Sequence, residues 1–334
     1  RSFLQGDAST RAYERLEHPD GRRAILMISP ARPDGPPIRY GKSYSAIARL
    51  AENVVPFVAL SQALRGLGLS APEVYAKDLD AGLLLIEDLG GEGVVDQNAP
   101  IAERYLAAAG ALAHLHAQPL PETIAVEGYG DYRIPPYDLD ALLIEVELLA
   151  DWYLPRLKAS ISSGARAIFL NLWRQALVEA VDAAPTWTLR DYHSPNLLWL
   201  AQRVGLARVG ILDFQDCVLG HPAYDVASLG QDARVDVPDD LELKLLASYA
   251  KLRREADPAF DMAAFAKAYA ILAAQRATKI LGIFARLDQR DGKPQYLAHL
   301  PRVESYLRKS LRHPALADVK AWYEANIPGL FRDA

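Results

Sequence analysis

Short apolar runs alternate with small or turn-forming residues through the first ninety positions. Residues 2–5 and 12–16 flank the small-residue loop 6–10, and residues 24–29 follow the turn His18-Pro19-Asp20-Gly21. Strand-length runs joined by such turns predict a twisted antiparallel sheet. Residues 30–37 read as a Pro/Gly-rich loop. Residues 56–67 predict a helix, with Val58, Leu60, Leu64 and Leu67 as apolar positions and Pro56 in the first turn. Residues 74–76 and 82–86 predict two further strands that run into Glu87-Asp88-Leu89-Gly90-Gly91.

Beyond that point the period becomes helical. Residues 100–118 carry Leu106, Ala109, Ala113 and His116 on one face, and Pro119 and Pro121 stop the helix. Helices are also predicted at 138–160, 164–182, 240–255, 261–287, 301–312 and 315–326, with a strand-rich insert at 186–214. The expectation is an α+β, two-lobed molecule: an antiparallel β-rich lobe over residues 1–90, a hinge near 87–91, and a larger, mostly helical lobe over residues 91–334. Clefts between lobes are where small ligands usually bind.

Composition narrows the partners. The chain has 334 residues, 51% of them hydrophobic and 24% charged, with a net charge of −5. No concentrated basic face is visible, which argues against nucleic-acid and anionic-membrane partners. No run of about 18 apolar residues predicts a membrane span, and residues 1–20 show no secretory leader. Cys217 is the single cysteine, so no internal disulfide forms and a reducing, cytoplasmic setting is expected. The chain begins at Arg1 rather than Met, which fits processing or excision from a longer fused protein. A monomer is expected.

The segment 187–200 holds Asp191 and Asn196 five positions apart in a polar stretch between apolar ones. A second apolar run, 209–212, ends at Asp213. If 197–200 and 209–212 pair as a hairpin, Asn196 and Asp213 lie side by side at its open end, with Asp191 just upstream. Taken singly, each is a turn cap or an Asx-turn residue. Together they match phosphoryl transfer: Mg²⁺ takes hard oxygen ligands, here Asn196 and Asp213, and a separate carboxylate, Asp191, serves as the base.

Asp191, Asn196 and Asp213 resemble the catalytic loop and metal-binding Asp of the protein-kinase-like fold. His193 and Pro195 make the segment similar to the aminoglycoside phosphotransferase and choline kinase superfamily, although Leu189-Arg190 replaces the His-Gly that often precedes the catalytic Asp. The segment 220–229 resembles the same superfamily, which implies that Asp225 supports the catalytic loop from a helix start. Residues 6–13, 86–90, Gln275-Arg276, 279–286 and 291–296 look like one branch, the cell-wall-recycling amino-sugar kinases. That resemblance implies ATP and Mg²⁺ as cofactors and a small-molecule sugar substrate, the anomeric hydroxyl of N-acetylmuramate or N-acetylglucosamine.

The nucleotide half carries weaker signals. Gly6, Asp7, Ala8 and Ser9 fit a loop whose backbone covers phosphates, and Glu87, Asp88 and Leu89 fit the adenine-edge hinge. Kinase-like folds usually carry a phosphate-binding Lys on the third strand, but here Met27 or Ile28 stands at that place. Arg11 is the candidate substitute and Lys42 a weaker one. His193, Gln215 and Asp216 are candidate substrate contacts. Of Arg276, Lys279 and Arg286, one that points into the cleft would suit a substrate carboxylate, such as the lactyl group of a muramic acid. His114 and His116 lie two apart on a helix and cannot clamp a metal together. Alternatives remain an aminoglycoside or choline kinase, for which Asp216, Asp232 and Asp236 would line the cleft, and a nucleotide-binding pseudokinase.

Overall fold

The computed structural model describes residues 2–4, 11–31 and 35–331. The first quarter of the chain builds a five-stranded antiparallel sheet from β1 (Ser2–Leu4), β2 (Ala12–Glu17), β3 (Arg23–Ile28), β4 (Val74–Asp78) and β5 (Leu83–Glu87), in the order β1-β2-β3-β5-β4. Alternation sets its buried face: Ile25 and Met27 on β3 and Leu84 and Ile86 on β5 all point to the core. A short helix α1 (Tyr44–Ile47) and the longer α2 (Val55–Gly66) separate β3 from β4. Periodicity had not shown α1, because four residues make little more than one turn. Its start is set by Ser43, whose side chain accepts from the Ala46 amide at 3.1 Å.

The rest of the chain is mostly helical, beginning with α3 (Ala102–His116) and α4 (Leu139–Leu148). The predicted helix 138–160 is not continuous. After α4 the chain widens into a π-helical turn, Leu149–Tyr153, before one more α-turn, Leu154–Arg156. Pro155 has no amide to donate to the fourth carbonyl back, and the wider turn absorbs that loss.

The helix Met262–Asp291 runs through the centre of this half and packs against α4, the π-turn, the helix Ala223–Gly230 and the helix Leu300–Ser310. Asp261 caps its start by accepting from Ala263 and Ala264, and Gly292, at φ +63°, ends it in the left-handed conformation. No helix among the described residues is long and apolar enough to cross a membrane.

The predicted hairpin forms as Leu197–Trp199 against Val209–Ile211, with Leu197 opposite Ile211. Both of its outer edges are tied to the segments flanking the hinge. Ser70 bridges to Gly210 and Gly93 to Leu198, and the Arg203 guanidinium reaches Ser70 and Glu87. The segments flanking residues 87–91 and the hairpin are therefore joined in one hydrogen-bonded unit.

Two stability predictions follow from this packing. At Gly282 an added Cβ would sit 2.5 Å from the carbonyl oxygen of Leu148. In an exposed helix Gly→Ala gains about 1 kcal/mol, but here overlap with backbone dominates, at about 1–3 kcal/mol or more. Gly282→Ala should therefore lower the melting temperature; an unchanged or raised value would refute the close packing.

The second concerns His221, whose Nδ1 accepts the Ala223 amide at 3.1 Å at the start of the helix Ala223–Gly230. Burial, with His116 and Arg253 nearby, pushes its pKa down to about 4 from 6.5. The neutral ring is favoured on folding, so its contribution is full above pH 6.5 and fades as pH falls toward 4. Linkage puts the loss at about 2 kcal/mol by pH 5. Urea unfolding at pH 7 and pH 5 should show a smaller drop for His221→Asn than for the unsubstituted protein.

Candidate active site

A cavity of about 710 Å³ lies between the sheet and the helical half. Its walls bring together residues that are far apart in sequence: Arg11, Tyr13 and Ile25 from the sheet, 87–90 from the hinge, Asp191, His193 and Asn196 from the catalytic segment, and Asp213 and Asp216 beyond the hairpin.

The segment before Asn196 is built around one buried carboxylate. Asp225 accepts the amides of Leu189 at 2.7 Å and Arg190 at 2.8 Å. Those bonds hold Arg190 at φ +69°, an uncommon conformation for a residue with a Cβ. The support role expected of Asp225 is thus met by geometry. Asp232 does similar work downstream, accepting the Ser194 amide at 2.7 Å and the Tyr105 hydroxyl at 3.0 Å. A short 3₁₀ turn, Ser194–Asn196, then delivers Asn196, whose Nδ2 donates to the Asp191 carbonyl at 2.9 Å. With its amino group so engaged, the amide presents its oxygen as the remaining polar atom.

Asp213 lies one residue beyond Leu212, whose amide donates to the Asn196 carbonyl at 2.9 Å, so the two residues stand together at the hairpin's open end. Asp213 adopts φ +55°. Its Oδ1 accepts from Arg11 at 2.9 Å and from Gln215 at 2.7 Å. Burial, and then the charge of Asp191, push its carboxyl up to about 6. Three carboxylates, Asp191, Asp213 and Asp216, line this end of the cavity, and the guanidinium of Arg11 pairs with Asp213 and feels the charge of Asp216. No group of three His, Cys, Asp or Glu side chains among the described residues is arranged to hold a metal ion by itself; what the pair Asn196 and Asp213 offers a hard cation is one amide oxygen and one carboxylate, the rest of the shell being left to phosphate and water.

Asp191 behaves in the opposite way. Burial favours its neutral form, but Lys279, His193, Arg190 and Arg276 outweigh it and hold the carboxyl below its usual range. Much of this field comes from a cluster that sequence reasoning missed. Arg190, read there only as a departure from His-Gly, is buried; its guanidinium pairs with Glu145, donates to the Ala48 carbonyl at 2.9 Å and lies 4.9 Å from the Tyr137 ring centroid. Lys279 also pairs with Glu145, at 2.8 Å. Two cations on one carboxylate leave net positive charge beside Asp191. Nothing in the local sequence signals this, because Glu145, Arg190 and Lys279 lie on three separate segments.

The remaining candidates divide. Glu87, Asp88 and Leu89 line the cavity, with their carboxylates held away: Glu87 by Arg65 and Arg203, Asp88 by Arg15 at 2.7 Å. On β3 it is Ile25 that lines the cavity, while Met27 is fully buried. Gly6, Asp7, Ala8 and Ser9 lie outside the described residues. Lys42 is exposed and off the cavity wall.

His193 lines the cavity, and burial lowers its pKa toward the neutral ring. Asp216 lines it too, while accepting the Ala51 amide at 2.6 Å. Gln215 does not line it; it sits behind Asp213 as a hydrogen-bond donor, which corrects its reading as a substrate contact. Asp232 is spent on the catalytic segment and Asp236 pairs with Arg302, so neither is a cleft carboxylate. Arg276 lines the cavity, Lys279 belongs to the Glu145 cluster, and Arg286 lies over the Tyr44 ring. The segment 45–52, which carried no periodic signal, supplies Ser45, Leu50, Ala51 and Glu52 to the wall.

Comparison with known proteins speaks to family and fold. The chain is 40% identical to an N-acetylmuramate/N-acetylglucosamine kinase of Caulobacter vibrioides, over 98% of this chain and 92% of the relative. A kinase of the same name from Pseudomonas putida is 33% identical, over 94% of this chain and 84% of the relative. In fold it is similar to an ethanolamine kinase of Plasmodium vivax (TM-score 0.58, 13% identity, 92% of this chain and 81% of that one). It is likewise similar to a choline/ethanolamine kinase family protein of Mesorhizobium loti (TM-score 0.54, 15% identity, 97% and 93%). Residues 1–260, which span the sheet, the hinge, the catalytic segment and Asp213, match the Phosphotransferase enzyme family, and the chain belongs to that family.

Proposed function

We propose that the chain transfers the γ-phosphoryl group of ATP to the anomeric hydroxyl of N-acetylmuramate or N-acetylglucosamine, with Asp191 as base and Asn196 and Asp213 as ligands of Mg²⁺. The observation that carries the reading is the meeting of Asp191, Asn196 and Asp213 in the lining of one cavity that 87–90 also lines. The substrate class rests on the names of the relatives at 40% and 33% identity.

Within this reading the hinge 87–90 and the apolar Ile25, Ile86, Leu198 and Leu212 take the base of the nucleotide. Bound Mg²⁺ supplies charge neutralisation at the β- and γ-phosphates. The Asn196 side-chain oxygen and the Asp213 carboxylate would hold it, and Arg11, beside Asp213, would offer its positive charge to phosphate in place of the missing strand lysine. Asp191, kept ionised by its cationic surroundings, accepts a hydrogen bond from the sugar hydroxyl. As the O–P bond forms and the bond from phosphorus to the β–γ bridging oxygen breaks, the hydroxyl proton passes to Asp191 and ADP leaves. An anomeric hydroxyl is more acidic than an ordinary alcohol, so this proton transfer asks little of the base.

Asp191→Asn should lower kcat by about 10² to 10⁴ with nucleotide binding retained, whereas Asp213→Ala should weaken Mg²⁺-dependent nucleotide binding itself. Single-turnover rates and ADP titration calorimetry separate the two; turnover of Asp191→Asn within threefold of the unsubstituted enzyme would remove Asp191 as base. ADP release measured across N-acetylmuramate, N-acetylglucosamine, kanamycin and choline, with NMR of the product, tests the acceptor. The expected product is a 1-phosphate of an N-acetyl amino sugar. Phosphate on another hydroxyl, or preference for an aminoglycoside, overturns the substrate assignment and leaves the family intact.

A further inference from the structure

We infer that Arg276 is the anchor for a carboxylate on the acceptor sugar, and so the residue that separates the acid N-acetylmuramate from the neutral N-acetylglucosamine. This rests on the acceptor reading above. Arg276 is 5% exposed and lines the cavity. Among the described residues its one hydrogen bond is from Nη1 to the Gln231 carbonyl, at 3.2 Å, and no carboxylate forms an ion pair with it. That is unusual for a buried cation, because an uncompensated charge loses its hydration without a counter-ion. The other buried cations nearby, Arg190 and Lys279, both pair with Glu145. A buried guanidinium facing an open cavity, with donors to spare, is a built anion site, and its planar fork suits a carboxylate.

Position assigns the anion. Arg276 is close enough to bias the charge of both Asp191 and His193, so it stands beside the base rather than at the hinge. The same face of its helix continues with Ile280, Ile283, Phe284 and Leu287 along the cavity wall, an apolar surface for a ring face and acetyl group. Arg234 closes the end of that surface, its guanidinium 5.2 Å from the Phe284 ring centroid. A sugar whose anomeric hydroxyl meets Asp191 brings a lactyl carboxylate within reach of this guanidinium. The competing anion is the transferred phosphoryl group, which every acceptor shares.

The two are separated by kinetics with acid and neutral acceptors. For Arg276→Met, the ratio of kcat/KM for N-acetylmuramate to that for N-acetylglucosamine should fall about tenfold or more, mainly through the KM of the acid. Loss in step on both sugars overturns the inference and places Arg276 on phosphate. An arm that needs no variant uses the unsubstituted enzyme with N-acetylmuramate and its lactyl methyl amide, which keeps the shape and removes the charge. The acid should be preferred about tenfold or more, and equal use of acid and amide overturns the anchor. If neither sugar accepts phosphate while another acceptor does, the substrate reading fails and the inference fails with it.

Discussion

Two consecutive amides donating into one buried carboxylate hold the active end of this molecule together. Asp225 sits on the helix Ala223–Gly230 and accepts from Leu189 and Arg190, forcing a left-handed backbone at Arg190. That twist sends the Arg190 guanidinium away from the cavity toward Glu145 and Ala48, and sets Asp191 on the cavity wall. Without the anchor the strained residue would relax, and Asp191 and the Arg190 guanidinium would lose their places together. Asp232 pins Ser194, so the turn that carries Asn196 is held from both sides.

The electrostatics of the cavity follow from this placement. Asp191 and Asp213 are both buried carboxylates in one wall, yet their pKa values move apart, Asp191 down and Asp213 up to about 6. The difference is what stands behind each. Asp191 is backed by Lys279, Arg190 and Arg276, whereas Asp213 faces Asp191 and Asp216 with Arg11 as its main relief. Groups driven apart in this way can take separate roles, one ready to accept a proton and the other ready for a cation. On β3, Ile25 and Met27 are buried and apolar, and the positive charge beside Asp213 comes from Arg11 on the neighbouring part of the chain instead.

Much of the molecule was legible in the chain. The five sheet strands, the long helices and the hairpin at 197–211 lie close to where periodicity and turn residues put them, because each buries a face that repeats along a short stretch of sequence. Asp191, Asn196 and Asp213 were legible for the same reason: one hairpin brings them together, so their spacing is a local property. The segment 39–52 was not, because it is held by side chains from elsewhere. Arg39 reaches Glu147, Arg49 reaches Asp138, and the Ala51 amide reaches Asp216. Gln215 was misassigned because proximity in sequence to Asp213 does not say which side of it a neighbour occupies.

The amino-acid sequence by itself determined the order of elements and the placing of Asp191, Asn196 and Asp213 around one hairpin, consequences of short-range periodicity and turn chemistry. Only the tertiary structure decided which charges neutralise one another. Arg190, Lys279 and Glu145 come from three segments and cancel in part, while Arg276, three residues before Lys279 on the same helix, is left facing the cavity. Residues three apart on a helix are neighbours on one face, so local periodicity does not separate their roles; the partner of a buried charge is chosen by packing across the whole core.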